Sequence, residues 1–236
     1  MKGLSNGQLS KIVCAVRDMP TVQITMFGDE RCERIYRNFT RPHPKFPLVK
    51  KKEWGVALVE LPNDVNDFRR GKKMQALRTN SRFATNKGYV FTWINPSEHI
   101  KEIMEINTSS EMRGGRPMDR HYVEWEMVEK YFTTTDAIPA VVDADGRARA
   151  YVDVVTVGEV AILSRILGHA QYLSNGIMYL LIEGLVDHLV AQKQETGLPL
   201  WLMYDTFGLP GAREGLRYFK ERLGFRPYRV KWAWRG

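Results

Sequence analysis

The chain has 236 residues, of which 44% are hydrophobic and 26% charged, and this composition excludes a disordered or fibrous protein. Its 35 Lys and Arg residues outnumber its 27 Asp and Glu residues, and the net charge of +8 favours anionic partners such as nucleic acid or a phosphorylated donor. Because Cys14 and Cys32 are its only cysteines and the N-terminus lacks a long apolar stretch, we expect a cytoplasmic protein without membrane partners.

The first 65 residues are predicted to form a β-rich extension. β-Branched residues place short strands at about 11–17, 22–27 and 54–61. A proline-rich basic break, RPHPKFPLVKKKE, separates the second strand from the third. We therefore divide the chain into an N-terminal extension, residues 1–65, and a larger domain, residues 66–236.

The segment 68–87 is predicted to be a helix whose charges are all positive. Like charges at helical spacing repel one another, so this segment requires either a polyanion or acidic neighbours. The glycine-rich loop EMRGGRPMD, further along, carries two more arginines, and it is either a substrate loop or a simple connection. The candidate substrate-binding residues of these two segments are Arg78, Arg82, Arg113 and Arg116.

From residue 89 onward the patterns predict strand, two helices, three strands, helix, strand, helix and strand. The first two of the three strands form a hairpin, with Asp145-Gly146 in its turn. A strongly apolar helix begins at residue 177, and Gly224 ends the amphipathic helix 211–223. A meander followed by a β-α-β-α-β run predicts a mixed α/β fold, with a twisted mixed sheet and helices on both of its faces.

Three segments within this order, LGHAQYLSNGIMYLLIEGLVDHLV, LWLMYDTF and GLRYFKERLGFRPYRV, resemble the GCN5-related N-acetyltransferase (GNAT) superfamily. The resemblance covers about residues 89–234. The sequence around Tyr172, Tyr204-Asp205 and Gly224-Phe225 is most similar to the FemAB/CelD-like branch, in which a comparable Arg-rich helix precedes the transferase domain. Members of that branch use acyl-coenzyme A or aminoacyl-tRNA as donor, so the resemblance implies acyl transfer on a GNAT-type fold.

The resemblance also implies a donor-binding loop directly before the apolar helix, where free N–H groups and the helix dipole favour anions. The family's Gln/Arg-x-x-Gly-x-Gly/Ala loop corresponds to Gln171, Ser174 and Gly176, or to a register two residues later. A Ser-Asn-Gly cap of a core helix is the alternative interpretation. The residues predicted to bind acetyl-coenzyme A or another acyl-coenzyme A are Ile166, Leu167, Gly168, Gln171, Ser174, Asn175, Gly176 and Ile177.

An amine acceptor must lose a proton before it attacks an acyl donor, so the site requires a proton acceptor. Asp205, at the end of a buried strand, is the first candidate, although it is equally suited to cap a turn. His169 is the second, and a structural histidine is its alternative. Lys220 is a candidate catalytic residue of another kind, because it stands where the superfamily often has a tyrosine that protonates the leaving thiolate, and this replacement favours the FemAB/CelD-like branch. No histidine spacing matches a metal site, so no metal is predicted.

The sequence therefore predicts an acyltransferase that moves an acyl group, such as acetyl, from acyl-coenzyme A directly to an amine. Two alternatives remain open. One is an aminoacyl-tRNA-dependent aminoacyltransferase of the FemAB type, and the other is a non-catalytic nucleic-acid-binding module on a GNAT scaffold. A nucleobase acceptor would reconcile the basic surface with transferase chemistry.

Overall fold

The structure is a computed structural model that describes residues 18–44, 46–113, 115–133, 135–208 and 214–236. The α-helices are α1 (Glu30–Thr40), α2 (Val65–Arg69), α3 (Gln75–Asn86), α4 (Ile100–Thr108), α5 (Arg120–Val123), α6 (Trp125–Phe132), α7 (Ile177–Thr196) and α8 (Glu214–Arg222). The strands are β1 (Thr21–Met26), β2 (Pro42–His43), β3 (Phe46–Lys50), β4 (Val56–Glu60), β5 (Val90–Ile94), β6 (Met112–Arg113), β7 (Arg116–Pro117), β8 (Ile138–Val142), β9 (Ala148–Val157), β10 (Val160–Gly168), β11 (Trp201–Thr206) and β12 (Arg226–Trp234). The strand expected at 11–17 lies outside the described residues.

Eight of the described strands form one mixed sheet in the order β1-β12-β4-β11-β10-β9-β8-β5. The β1/β12 and β10/β11 pairs are parallel, whereas β4 runs antiparallel to both of its neighbours. The β10/β11 register joins Val160–Ile162 to Trp201–Met203, and both strands continue beyond it. A large mixed sheet flanked by helices confirms the predicted mixed α/β fold.

The chain divides into two compact units. The first takes its described residues from Met1–Leu61, Thr156–Ile162 and Glu195–Gly236, and the second consists of Pro62–Val155 and Leu163–Gln194. The division predicted after residue 65 stays a prediction.

In the first unit the N-terminal strands pair with the C-terminal strand. β1 pairs with β12 over its whole length, and β4 pairs with both β12 and β11. Ile24, Met26, Leu58 and Val230 are fully buried here. Apolar side chains at alternate positions of these strands thus supply the core of this unit.

Helix α1 of the first unit was not predicted from the sequence. The side chain of Asp29 caps it by accepting a hydrogen bond from the N–H of Cys32 at 3.0 Å. Its one buried residue, Phe39, contacts the ring of Trp232 edge-on at 5.2 Å between centroids. A helix that buries a single side chain leaves no apolar stripe in its sequence, which explains why the pattern did not reveal it.

The core of the second unit lies between the sheet and helices α4 and α6. Fully or nearly fully buried residues of these elements contact one another in one cluster: Ile94, Ile103, Ile106, Val128, Phe132, Ile138, Ala140, Ala148, Tyr151 and Leu167.

The basic segment of the second unit is not one helix, so the prediction of a continuous helix over 68–87 was wrong. Helix α2 ends at Arg69, a short 3-10 turn covers Lys72–Met74, and α3 begins at Gln75. Gly71 interrupts the helix with a φ of 86°, a conformation that favours glycine because it has no Cβ.

Candidate functional site

The loop after β10, residues 169–176, connects the sheet to helix α7 within the second unit. Residues Ala170–Asn175 form a 3-10 helix, and Gly176 follows in the left-handed conformation with a φ of 80°. A Cβ at Gly176 would overlap the backbone carbonyl oxygen of Asn80 in α3. The first-turn N–H groups of α7, at Ile177 and Met178, have no intrahelical acceptor, so this loop presents backbone donors at a helix N-terminus.

Basic side chains surround this loop. The guanidinium of Arg149 lies 4.6 Å from the ring centre of Tyr172, and the ammonium of Lys87 donates to the Oδ1 of Asn175 at 2.7 Å. Arg149 is 8% exposed and is itself held by the carboxylate of Asp143 at 2.6 Å. Backbone donors, a helix dipole and fixed cations together make an environment suited to a phosphorylated ligand.

The predicted donor-binding residues divide into exposed and buried sets. Gln171 and Ser174 are exposed on the loop, whereas Leu167, Gly168 and Ile177 are buried. Ile166 is half-buried on β10. The side chain of Asn175, half-buried, is engaged on both sides, because its Nδ2 also donates to the Tyr89 hydroxyl at 2.9 Å.

His169 begins the loop and packs against Tyr172, with 4.9 Å between ring centroids. Its Nδ1 accepts a hydrogen bond from the N–H of Gln171 at 3.3 Å, so that nitrogen carries no proton in this arrangement. Burial lowers the pKa of His169, and the positive charge of Arg149 lowers it further. The imidazole is therefore neutral at pH 7 with its proton on Nε2, and its one free lone pair, on Nδ1, is occupied by the Gln171 N–H.

The four arginines predicted to bind substrate have different environments. Arg113 is tied to backbone oxygens, since it donates to the carbonyls of Ile106 at 2.7 Å and Gly168 at 3.2 Å. Arg116 is exposed. Arg78 donates to the carbonyl of Gly71 at 3.1 Å. Arg78 and Arg82 also line a groove of about 380 Å³ along α3, with Thr79, Phe83 and Asn86.

Asp205 and Lys220 lie together in the first unit, at the bend that ends β11. Lys220 is 2% exposed and donates to the backbone carbonyls of Tyr204 and Thr206, at 2.7 Å each. Between them, Asp205 takes a φ of 50°, which is uncommon for a residue other than glycine. The exposed carboxylate of Asp205 forms an ion pair with Lys52. This geometry favours a structural role for Lys220.

A buried polar cluster on β9, β10 and α6 was missed by the sequence analysis. The hydroxyl of Tyr131 donates to the carboxylate of Asp153, which is 3% exposed, and lies 3.1 Å from the Oγ of exposed Ser164. Burial, reinforced by the charge of Asp153, raises the pKa of Tyr131 to about 12. Arg165, 7% exposed, stacks on the Tyr131 ring. The one signal in the sequence is an Asp inside the apolar strand AYVDVV.

The acids on α7 partly neutralise the basic segment. Arg69 donates to Glu183 at 2.7 Å and to Asp187 at 2.5 Å. Arg70 also pairs with Asp67 at 2.7 Å, so acidic side chains neutralise two of the seven basic residues of this segment, and the requirement for a polyanion is correspondingly smaller.

Two further findings apply to the described residues alone. No group of three or more His, Cys, Asp or Glu side chains among them could hold a metal ion. None of their helices has the length and apolar character required to span a bilayer.

The parallel β10/β11 pair, the loop after β10 and helix α7 belong to a GNAT-like fold. No protein-family model matches the sequence, and no curated protein matches it either. Structural similarity therefore carries the assignment.

FemX is one of the similar solved structures, with a TM-score of 0.53 and 9% sequence identity over 74% of this chain and 59% of that one. Another is the C-terminal domain (DUF2156) of a protein described as a lysylphosphatidylglycerol synthetase from Agrobacterium fabrum, with a TM-score of 0.50 and 14% identity over 74% of this chain and 57% of that one. A tandem GNAT protein from the clavulanic acid biosynthesis pathway has a TM-score of 0.46 and 15% identity, over 75% of this chain and 50% of that one.

The similarities to FemX and to the DUF2156 domain confirm the predicted GNAT resemblance at the level of the fold alone. The chain spans less than two thirds of the length of each of these three solved chains.

Proposed function

We propose that this protein is an acyltransferase that moves an acyl group, such as acetyl, from acyl-coenzyme A to an amine. The proposal rests on the loop 169–176, which ends at left-handed Gly176 directly before helix α7. Arg149 and Lys87 contact this loop. Backbone N–H groups at this position suit the phosphates of coenzyme A, and the two cations add attraction without blocking the exposed loop.

In the proposed reaction the acceptor nitrogen forms a bond to the acyl carbon, and the bond from that carbon to sulfur breaks. The nitrogen loses a proton to a base of the protein, and the departing thiolate takes up a proton. His169, neutral because its pKa is lowered, accepts the first proton at Nδ1, which requires that the Gln171 N–H first release that nitrogen. The buried carboxylate of Asp153 is a second acceptor, reached through Tyr131 and exposed Ser164. Asp205 remains a third candidate.

Binding of coenzyme A to a charge-reversed loop tests the donor site. Ser174 is exposed, so Ser174→Glu places a negative charge on the loop without disturbing packing. We expect calorimetry to show coenzyme A binding about tenfold or more weaker to this variant than to the unaltered protein. Thr133→Glu, which adds the same charge at the end of α6, is the matched control. Equal affinities for the two variants would contradict the proposed loop.

A second candidate function is transfer from an aminoacyl-tRNA, as the FemAB-like resemblance implies. It is favoured by the groove along α3, where Phe83 is 44% exposed and the Lys87 ammonium lies 4.6 Å above its ring. Exposed aromatic rings next to cations are typical of nucleic-acid surfaces. The same groove would serve a non-catalytic nucleic-acid-binding module.

Donor competition separates these three functions. Acetyl-coenzyme A carrying a labelled acetyl group and tRNA carrying a labelled amino acid are supplied together with a mixture of amines. Label from acetyl-coenzyme A in the product supports the main proposal, and label from tRNA supports the second. RNA binding with a steep salt dependence and no transfer from either donor would indicate the non-catalytic module.

A further inference from the structure

Arg165 on β10 is a buried cation without a carboxylate partner in the described part of the chain. Its guanidinium carbon lies 3.4 Å from the ring centre of Tyr131, 4.6 Å from that of Tyr122 and 5.8 Å from that of Phe132. The Nη1 atom is buried and has no hydrogen-bond partner. Arg165 is thus enclosed by aromatic rings while part of its hydrogen-bonding capacity is unused.

Two other buried or partly buried arginines of this unit pair with carboxylates, and a third, Arg113, is held by two backbone carbonyls although its Nε has no partner. Arg149 pairs with Asp143, and the partly buried Arg69 pairs with Glu183 and Asp187. Removing a guanidinium from water costs several kcal/mol, which a carboxylate with good geometry normally offsets. Contacts with ring faces offset only about 0.5–2 kcal/mol. Arg165 therefore lacks the compensation that its neighbours have.

The carboxylate that belongs to this cluster is engaged elsewhere. Asp153 accepts the hydrogen bond of the Tyr131 hydroxyl, and Tyr131 also lies 3.1 Å from Ser164. Tyr131 therefore contacts the unsatisfied cation through its ring and the buried acid through its hydroxyl. A small ligand with one anionic group and one amine would be complementary to these two charges.

We propose that Arg165 binds the carboxylate of the acceptor, so that the acceptor is an amine that also carries a free carboxylate, as in an amino acid or a peptide. This inference rests on the proposed acyl transfer to an amine. The planar fork of a guanidinium matches a carboxylate with two parallel hydrogen bonds. The Tyr131–Asp153 pair, whose tyrosine ring contacts the guanidinium, would receive the amine that an α-amino acid carries one carbon away from its carboxylate. Because the Tyr131 ring covers the guanidinium, binding must displace that ring.

Nuclear magnetic resonance of the full chain with ¹⁵N-labelled arginine tests the site without any donor. The probes are acetate, L-alanine, L-alaninamide and inorganic phosphate. We expect acetate and L-alanine to shift the Arg165 guanidinium signals and the Tyr131 ring signals saturably, and L-alaninamide to leave both unchanged. An unchanged Arg165 in acetate and L-alanine, or a stronger response to phosphate than to acetate, would overturn the proposal.

Two variants complete the test. Arg165→Lys keeps the charge but loses the fork, and we expect it to weaken acetate binding about tenfold. Arg147→Lys changes an exposed arginine paired with Glu105 and serves as the control, with acetate binding unchanged. If Arg165→Lys does not fold, contacts between Arg165 and the Tyr131 ring identify its signals in the unaltered protein, and the titration still decides.

Failure of this inference is distinguishable from failure of the proposed function. If coenzyme A binds at the loop but acetate leaves Arg165 unchanged, the acceptor assignment is wrong and acyl transfer stands. If acetate binds at Arg165 but neither acetyl-coenzyme A nor aminoacyl-tRNA transfers its acyl group, the carboxylate site stands and the acyltransferase proposal is wrong.

Discussion

The loop after β10 and the bend after β11 both contain a left-handed residue, but the two regions reach that conformation differently. In the second unit the residue is Gly176, which adopts it without steric cost and allows α3 to approach closely. In the first unit it is Asp205, whose flanking carbonyls are held by buried Lys220. The loop after β10 exposes polar side chains, those of Gln171 and Ser174, next to the N-terminus of α7. At the bend after β11, in contrast, the carbonyls of Tyr204 and Thr206 accept hydrogen bonds from Lys220, which fixes the backbone of the bend.

The largest effect is expected from replacing the glycine of the loop. Gly176→Ala would strain a left-handed backbone and force a Cβ against the carbonyl of Asn80, so we expect a loss of about 3 kcal/mol of unfolding free energy. Gly146→Ala is the matched comparison, because Gly146 has a φ of 76° and nothing lies within 4 Å of the Cβ that alanine would add. We expect it to lose about 1 kcal/mol of unfolding free energy. Chemical denaturation measures both. Equal losses would show that the contact with α3 is unimportant.

Removing the lysine of the bend should have the next largest effect. Lys220→Met leaves the carbonyls of Tyr204 and Thr206 without the ammonium, and we expect a loss of about 2 kcal/mol of unfolding free energy. Lys231→Met, at an exposed position of β12, is the control and should change stability little. Stability unchanged in Lys220→Met would contradict the structural role and return Lys220 to the candidates for proton transfer.

The ion pair between Asp143 and Arg149, the arginine that contacts Tyr172 of the loop, should make the stability of the protein sensitive to acid. Burial alone would raise the pKa of Asp143, but hydrogen bonds from Arg149 and from the N–H of Arg147 hold it below the usual value. A carboxylate with a lowered pKa contributes stability above about pH 4, and that contribution is lost as the pH falls through the lower folded value. Asp143→Asn should therefore lose about 1 kcal/mol at pH 7 and less on acidification. If the unfolding free energies of the unaltered protein and of Asp143→Asn change in parallel between about pH 5 and pH 2, this prediction is wrong.

The smallest effect concerns the charge next to His169. After burial, Arg149 is the largest cause of the lowered pKa, so Arg149→Met should raise the pKa of His169 toward the ordinary value. Titration of the imidazole signals by nuclear magnetic resonance measures the change, with Arg222→Met as the control. Because the folded pKa is lowered, stability from this group is present above the unfolded pKa of about 6.5 and declines as the pH falls. If the pKa of His169 is the same in Arg149→Met and in Arg222→Met, Arg149 does not influence the electrostatics of the loop.

Much of the C-terminal third was predictable because its signals are local. The apolar helix was expected from residue 177 and is observed as α7 (Ile177–Thr196). In the predicted Asp-Gly turn between β8 and β9, Gly146 has a positive φ of 76°, whereas Asp145 does not. Gly224, expected to end the amphipathic helix, has a φ of 83° after α8. In each case one residue type fits the backbone conformation that the element requires.

The parts that sequence reasoning missed depend on contacts between distant residues. Nothing local to Lys220 reveals that its ammonium caps carbonyls 16 and 14 residues earlier in the chain. Nothing near Arg165 shows that three aromatic rings enclose it, since Tyr122 and Tyr131 come from other elements. A charged residue inside an apolar strand signals an unusual environment, but its partner is set by the tertiary fold.

The contact between α7 and β5 within the second unit has a consequence for how this sequence can vary. A Cβ at Gly184 would overlap the ring of Phe91. The helix at this point therefore has no room for a larger side chain unless residue 91 becomes smaller. A substitution to alanine at 184 requires a smaller side chain at 91, and the double replacement Gly184→Ala with Phe91→Leu should recover stability that the single change loses. In homologous chains these two positions are therefore expected to covary.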